Sequence, residues 1–179
     1  MLRTERLLLR PLREADAPEL FSIFSDPRVM RYWSSPAWSC VDVAREKIAA
    51  DLKAMAAAEY LQLGIERTGD AQLLGKCTLF NFVRESKRAD VGYGTACHCW
   101  GHGYAHEALL ALLRFGFAEL GLNRVEADID PRNRRSARLL ERLGFKQEGY
   151  LRQRWIVGEE VSDSVLFGLL RDEFAAASM

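Results

Sequence analysis

The stretch Ala89-Asp90-Val91-Gly92-Tyr93-Gly94-Thr95-Ala96-Cys97-His98-Cys99-Trp100-Gly101-His102-Gly103-Tyr104-Ala105-His106-Glu107-Ala108-Leu109 decides how this chain reads. Its first half alternates and suits a strand, Gly101 and Gly103 make a tight turn, and apolar residues then recur at helical spacing. A strand therefore feeds a helix through glycines. Such a helix start presents unpaired backbone N–H groups and the positive end of its dipole to whatever precedes it, an arrangement that suits anions and phosphates above all. Gly101 and Gly103 let the backbone close on a pyrophosphate with no Cβ in the way, and Tyr104 and Ala105 carry the next free amides. Gly-x-Gly also marks plain loops, so the residues around it must decide.

Outward from this stretch the chain punctuates itself clearly. Arg6 to Leu12 reads as a first strand kept near an edge or an end by Pro11. Asp16 can cap a short helix carrying Leu20, Ile23 and Phe24, which Asp26-Pro27 stops. Arg28 to Trp38 is an aromatic loop whose rings either pack on the core or a partner, or line a site. Ser39 and Asp42 resemble a capping box ahead of a helix with the stripe Ala44, Ile48, Leu52 and Met55, a core face. Tyr60 to Arg67, Leu73 to Val83 and Ala89 to Ala96 form a meander. The helix from Gly103 closes at Gly121, and Asn123 to Asp130 completes a βαβ unit with two parallel strands. Pro131 to Leu143 is a turn plus helix closing at Gly144. Phe145 to Val157 and Val161 to Leu170 make a terminal hairpin around Gly158-Glu159-Glu160.

With 179 residues, 49% of them hydrophobic and 28% charged, the chain reads as one globular domain over residues 1–179, without repeats or linkers. Twenty-five basic residues balance 25 acidic ones, so nothing global draws nucleic acid or a membrane, and any phosphate affinity must be local. No run approaches the roughly 18 apolar residues of a span, and Met1-Leu2-Arg3 leads straight into a strand, which points to the cytoplasm. Cys40, Cys77, Cys97 and Cys99 have no disulfide-framework spacing and read as free thiols. Cys97, His98, Cys99, His102 and His106 are one crowded cluster rather than the paired motifs of a zinc site, so no metal is expected.

Trp100-Gly101-His102-Gly103-Tyr104-Ala105-His106-Glu107-Ala108-Leu109 resembles the acetyl-CoA-binding motif of the GNAT acyltransferase superfamily, in the form of its RimJ/RimL branch. Thr4-Glu5-Arg6-Leu7-Leu8-Leu9-Arg10-Pro11-Leu12 upstream, and Asn133-Arg134-Arg135-Ser136, Leu143-Gly144-Phe145, Glu148-Gly149 and Arg152 downstream, extend the resemblance over nearly the whole chain. It implies an α/β (α+β) fold with a mixed sheet of about seven strands, splayed in the middle and flanked by about four helices. It also implies acetyl-CoA as co-substrate, a primary-amine acceptor such as a protein N-terminus or a small amine, and a fold compatible with a homodimer.

Carried over residue by residue, the resemblance puts the pyrophosphate on Gly101, His102, Gly103, Tyr104 and Ala105 behind Trp100. The pantetheine then runs along the backbone of Gly94, Thr95 and Ala96 as an added strand. Asn133 holds the pantetheine, caps its own helix, or does both. Arg132, Arg134, Arg135, Arg138 and Arg142 are a solvated basic face from which one or two residues could meet the 3′-phosphate. The aromatic loop would line the acceptor side.

Transfer to an amine needs a base, because an alkylammonium with a pKa of about 10 is no nucleophile, and it needs an acid to protonate the departing thiolate. Leu140 stands where many superfamily members carry a tyrosine for the second task. Ser136 matches the serine of the RimJ/RimL branch and is the candidate partner of the sulfur, or else simply the third residue of a capped helix. Asp90 lies where the branch carries an acid; it is the base, or a surface partner of Lys87 or Arg88, and a water could also serve. Cys97 replaces a frequent proline, and Gly94-Thr95 replaces bulkier residues. A non-catalytic acyl-CoA-binding module is the alternative that Leu140 and Cys97 keep open.

Overall fold

The computed structural model describes residues 1–177. Eight strands form one mixed sheet among the described residues: β1 (Leu2–Arg3), β2 (Leu7–Arg10), β3 (Leu61–Arg67), β4 (Leu73–Val83), β5 (Arg88–Thr95), β6 (Arg124–Ile129), β7 (Lys146–Val157) and β8 (Glu160–Leu170). Their order is β1-β2-β3-β4-β5-β6-β8-β7. Six α-helices accompany them: α1 (Ala17–Phe24), α2 (Pro27–Met30), α3 (Val41–Ala56), α4 (Tyr104–Ala118), α5 (Arg134–Arg142) and α6 (Arg171–Ala177). The expected counts of about seven strands and about four helices are thus exceeded. Leu2–Arg3 adds a short edge strand against β2, and the extra helices are the single turn α2 and the terminal α6.

The central pairing is the parallel one. β5 and β6 are joined through α4 and run parallel, as expected, while every other neighbouring pair is antiparallel. α4 lays Ala108, Leu109, Leu112, Leu113 and Phe117 on the sheet, and Gly116 lets it approach Leu79 of β4 closely. α1 covers the opposite face, where Phe24 reaches Gly94 of β5. The core runs through both layers, from Leu7, Leu9 and Ile65 to Val125, Leu140 and Leu169.

Several local expectations are corrected. The first strand is shorter than Arg6 to Leu12, because Arg10 turns its guanidinium inward. The carboxylate of Asp16 does not cap α1; it takes Arg10 Nη1 at 2.6 Å and Nη2 at 2.8 Å, and the Arg13 amide at 2.7 Å. Asp26-Pro27 does follow the end of α1, but the loop expected from Arg28 begins only after a helical turn: Asp26 accepts from the Arg28 amide at 2.8 Å and opens α2. Cys40, not Ser39, stands at the head of α3, and Asp42 pairs with Arg45 at 2.5 Å. Only Ala44 and Ile48 of the predicted stripe are buried; Leu52 is exposed, and Asp51 goes inward to bond Tyr60 and Gln62. α4 ends at Ala118, before Gly121 takes its left-handed turn with φ of 68°.

Candidate acetyl-CoA site

The site follows from where β5 and β6 part. They pair only at Arg88↔Arg124, Ala89↔Val125 and Asp90↔Glu126. β5 stays on β4 as far as Thr95, opposite Gly75, while β6 stays on β8 as far as Ile129. Val91 to Thr95 therefore face a gap rather than a strand. On its other edge β5 is held close to β4 at Gly75: at φ of +155° a Cβ there would run into the Gly94 carbonyl and lie 2.8 Å from Thr95 Cα. Only glycine allows β5 to lie this close to β4. The sequence reading passed over Gly75 because an isolated strand glycine carries no signature of its contacts.

At the end of β5 the chain makes a single 3-10 turn, Cys97–Cys99, then passes Trp100 into the glycine turn. Gly101 and Gly103 both have φ of +83°, in the left-handed region that favours glycine, and a Cβ on Gly101 would meet nothing. The turn is thus open on its outer side. The first-turn amides of α4 have no intrahelical carbonyl to bond, which leaves them for a phosphate.

A clamp from the chain start holds this turn. Arg6 donates from Nη1 to the His102 carbonyl at 3.0 Å and from Nε to Glu107 Oε2 at 2.7 Å, and it lies 4.7 Å from the centre of the Tyr104 ring. Glu107 also accepts from Thr4 Oγ1 at 2.6 Å and from the Arg6 amide at 2.9 Å. Burial alone would raise the Glu107 carboxyl pKa, but these donors hold it below its ordinary value. Thr4, Arg6 and Glu107 each carry part of the motif resemblance; what the sequence hides is that they touch.

The other candidate residues fall around the same gap. Trp100 donates its indole N–H to the Thr95 carbonyl at 3.1 Å, and Arg135 of the basic face lies 5.0 Å over its ring. Thr95 and Ala96 are buried, and the Ala96 amide donates to Leu74. His102 is exposed and stacks on Tyr104 at 6.0 Å. Gly94 is half the contact between sheet and aromatic loop, since a Cβ there would lie 2.8 Å from Trp33 and 3.0 Å from Phe24. That contact accounts for glycine in place of a bulkier residue.

Asn133 caps α5, its Oδ1 accepting from the Ser136 amide at 3.1 Å. Ser136 Oγ in turn lies 2.6 Å from the Tyr93 hydroxyl, a partner that the sequence reading missed. Tyr93 projects to the α4 side of β5, in register with Val91 and Thr95. Asp90 projects to the other side and sits at the last paired position before the gap. Burial raises its pKa against the opposing pull of Asn81, which donates at 2.9 Å, and of Arg88; Glu126 and Asp128 push it further up. Asp90 thus combines an Arg88 contact at 3.4 Å with a raised proton affinity. Asp90 and Ser136 flank the gap from opposite faces of the sheet.

On the Asp90 side the aromatic loop divides in two. Trp33 and Trp38 pack on Phe24 with ring centres 5.2 and 5.0 Å away, while Tyr32 faces a cleft of about 190 Å³. Asp130, Arg132, Glu160 and Ser162 line the opposite wall, and Arg132 bridges Asp130 at 2.6 Å and Glu160 at 2.7 Å. Beneath the loop, Lys76 lies opposite Gly94, donates to Gln62 Oε1 at 3.0 Å and sits 5.2 Å from the Phe24 ring centre. Burial lowers its pKa. Cys97 is half-buried beside Asp26, and no three His, Cys, Asp or Glu side chains are grouped to hold a metal among the described residues.

A parted parallel pair, a glycine turn opening a helix, and a capped helix across the gap define an acyl-CoA transferase scaffold. The chain belongs to the GNAT acetyltransferase family: residues 6–146 match the acetyltransferase (GNAT) domain model. It is 35% identical over 176 residues to uncharacterized N-acetyltransferase p20 of Bacillus licheniformis, covering 97% of this chain and 98% of that one. It is 29% identical to the [ribosomal protein uS5]-alanine N-acetyltransferase of Escherichia coli, over 94% of this chain and 89% of that one. A crystal structure of a GNAT-family acetyltransferase from Bacillus anthracis superposes with a TM-score of 0.85 at 26% identity, covering 96% of this chain and 98% of that one. The protein is an acetyl-CoA-dependent acetyltransferase of the GNAT family. No helix among its described residues is long and apolar enough to cross a membrane.

Proposed function

We propose that the protein transfers the acetyl group of acetyl-CoA to a primary amine by direct attack in a ternary complex. The observation that carries this reading is the gap beyond Asp90, flanked by a carboxylate on one face and a hydroxyl pair on the other. The pyrophosphate would lie on the amides of Gly101 to Ala105, the pantetheine along Gly94 to Ala96 with Asn133 across from it, and the thioester in the gap. Asp90, or a water it holds, takes the proton of the ammonium. The amine nitrogen then bonds the carbonyl carbon while a β5 amide holds the oxyanion. The C–S bond breaks with its electron pair on sulfur, where Ser136 donates a hydrogen bond, and the nitrogen gives up its second proton to water as the amide forms.

The acceptor would enter by the cleft between Tyr32 and Glu160. Its lining balances Asp130 and Glu160 with Arg31 and Arg132, so charge does not select the acceptor; the aromatic rim at Tyr32, which already takes the Arg31 and Arg132 guanidinium groups, is what favours a cationic amine. A protein N-terminus and a small amine both meet that description, and similarity to the uS5 enzyme favours the first. Release of free CoA is to be measured against N-terminal peptides, polyamines, aminoglycosides and amino acids, with wild type beside Ser136→Ala and Asp90→Asn. Turnover with one acceptor class, reduced roughly 100-fold in Asp90→Asn, supports the reading. Tight acetyl-CoA binding with no transfer to any of these acceptors would overturn the acceptor class and the roles given to Asp90 and Ser136.

A further inference from the structure

Leu140 is fully buried, so no phenol reaches the gap from that position of α5. One reaches it from the sheet instead. Tyr93 stands in the unpaired half of β5, and its hydroxyl lies 2.6 Å from Ser136 Oγ in the first turn of α5. Ser136 is itself fixed from a second side, because its amide donates to Asn133 Oδ1 at 3.1 Å. The two hydroxyls have two protons and one bond between them. Whichever group donates leaves the other's proton free for a third atom, and the phenol, being the stronger acid, is the better donor. Tyr93 O–H therefore donates to Ser136 Oγ, and the serine proton is left to point out of the pair.

We propose that Tyr93 is a positioning residue of the transfer site, which aims and polarises the Ser136 O–H toward the coenzyme sulfur. This rests on the reading of Ser136 as the sulfur's partner. As the C–N bond forms and the C–S bond breaks, the electron pair left on sulfur accepts the Ser136 hydrogen bond. Neither hydroxyl gives up its proton, and the thiolate takes one from water on release. Burial pushes the Tyr93 phenol up to about 12, so it remains a donor across the neutral range. Two side chains on two elements, one on β5 and one on α5, thus provide a directed hydroxyl.

The test needs no acceptor. CoA and desulfo-CoA, which has hydrogen in place of the thiol, are titrated calorimetrically at a pH of about 9.5, where a free thiol with a pKa near 8.5 is mostly ionised. Wild type should prefer CoA roughly tenfold, the scale of one charge-assisted hydrogen bond. Ser136→Ala should bring the ratio close to one, and Tyr93→Phe should lower it roughly threefold or more while desulfo-CoA binds as before. A chain carrying 3-fluorotyrosine at position 93, a more acidic phenol of nearly the same shape, should keep or raise the ratio and guards against a folding defect in the phenylalanine variant. A wild-type ratio in Tyr93→Phe beside a lost ratio in Ser136→Ala overturns the role of Tyr93 alone. Equal weakening of both ligands by Tyr93→Phe reduces Tyr93 to a structural contact and also overturns it. A ratio near one already in wild type removes the Ser136 reading, and this inference with it.

Discussion

Asp90 shows how the sequence can place a carboxylate on its strand while leaving its environment hidden. Its strand and neighbours Lys87 and Arg88 are adjacent in sequence, but its pKa is raised by burial first and then by Glu126 and Asp128, which come from β6. A carboxylate whose folded-state pKa is raised destabilises the fold at pH values above that pKa, and the penalty vanishes below the ordinary carboxylate range. Asp90→Asn should therefore raise the melting temperature at pH 7 and leave it unchanged near pH 3, while abolishing most turnover. A melting temperature that falls at pH 7 would mean the contacts of Asp90 with Asn81 and Arg88 outweigh its burial. The acid limb of the rate profile should lie above the ordinary carboxylate range, since the base must be ionised to act. Tyr93 stands at the same scale: it is quoted within the deciding stretch, yet nothing local announces that a residue 43 positions on will share its hydroxyl.

At the scale of elements, the chain start does more than supply an edge strand. β2 places Arg10 against Asp16 at 2.6 Å and against Glu66 of β3 at 2.6 Å, with Arg10 3% and Asp16 6% exposed. Burial would raise the Asp16 pKa, but Arg10 and the Arg13 amide lower it, so its contribution to stability is present above the ordinary carboxylate pKa and is lost as pH falls through the lower, folded-state value. Asp16→Asn should cost about 3–5 kcal/mol at pH 7, because it strands part of a buried charge. Denaturant unfolding checks this; a cost under about 1 kcal/mol would mean Glu66 alone satisfies Arg10. Asp16 was legible as a helix-start residue and illegible as an ion-pair partner, because capping is a local geometry and Arg10 faces it only once β2 is packed against β3. The helix α6 escaped the sequence reading for a related cause: its start at Arg171 is held by Arg171 bonding the Leu122 carbonyl, far away in the chain.

For the whole molecule, the arrangement predicts how ligands stabilise it. CoA at about 100 times its Kd should add roughly 2.7 kcal/mol, a rise of about 5–10 °C in melting temperature for a chain of this size. Dephospho-CoA should give a smaller rise, by an amount that shrinks with added salt if one of Arg134, Arg135 or Arg138 meets the 3′-phosphate. Identical shifts for the two ligands would return the basic face to solvent. The family, the order of the elements around α4, the parallel β5–β6 pair and the glycine turn were all determined by sequence alone, because each depends on residues near one another: alternation, helical period, and glycines where φ must be positive. Tertiary structure alone decided where β5 leaves β6, and that Gly75 of β4 closes on Gly94 and Thr95. It alone also decided that Tyr93 meets Ser136, that Arg6 clamps the glycine turn, and that Tyr32 and Arg132 face one cleft. Those are contacts between segments distant in the chain, and no local pattern encodes a partner that only packing brings within bonding distance.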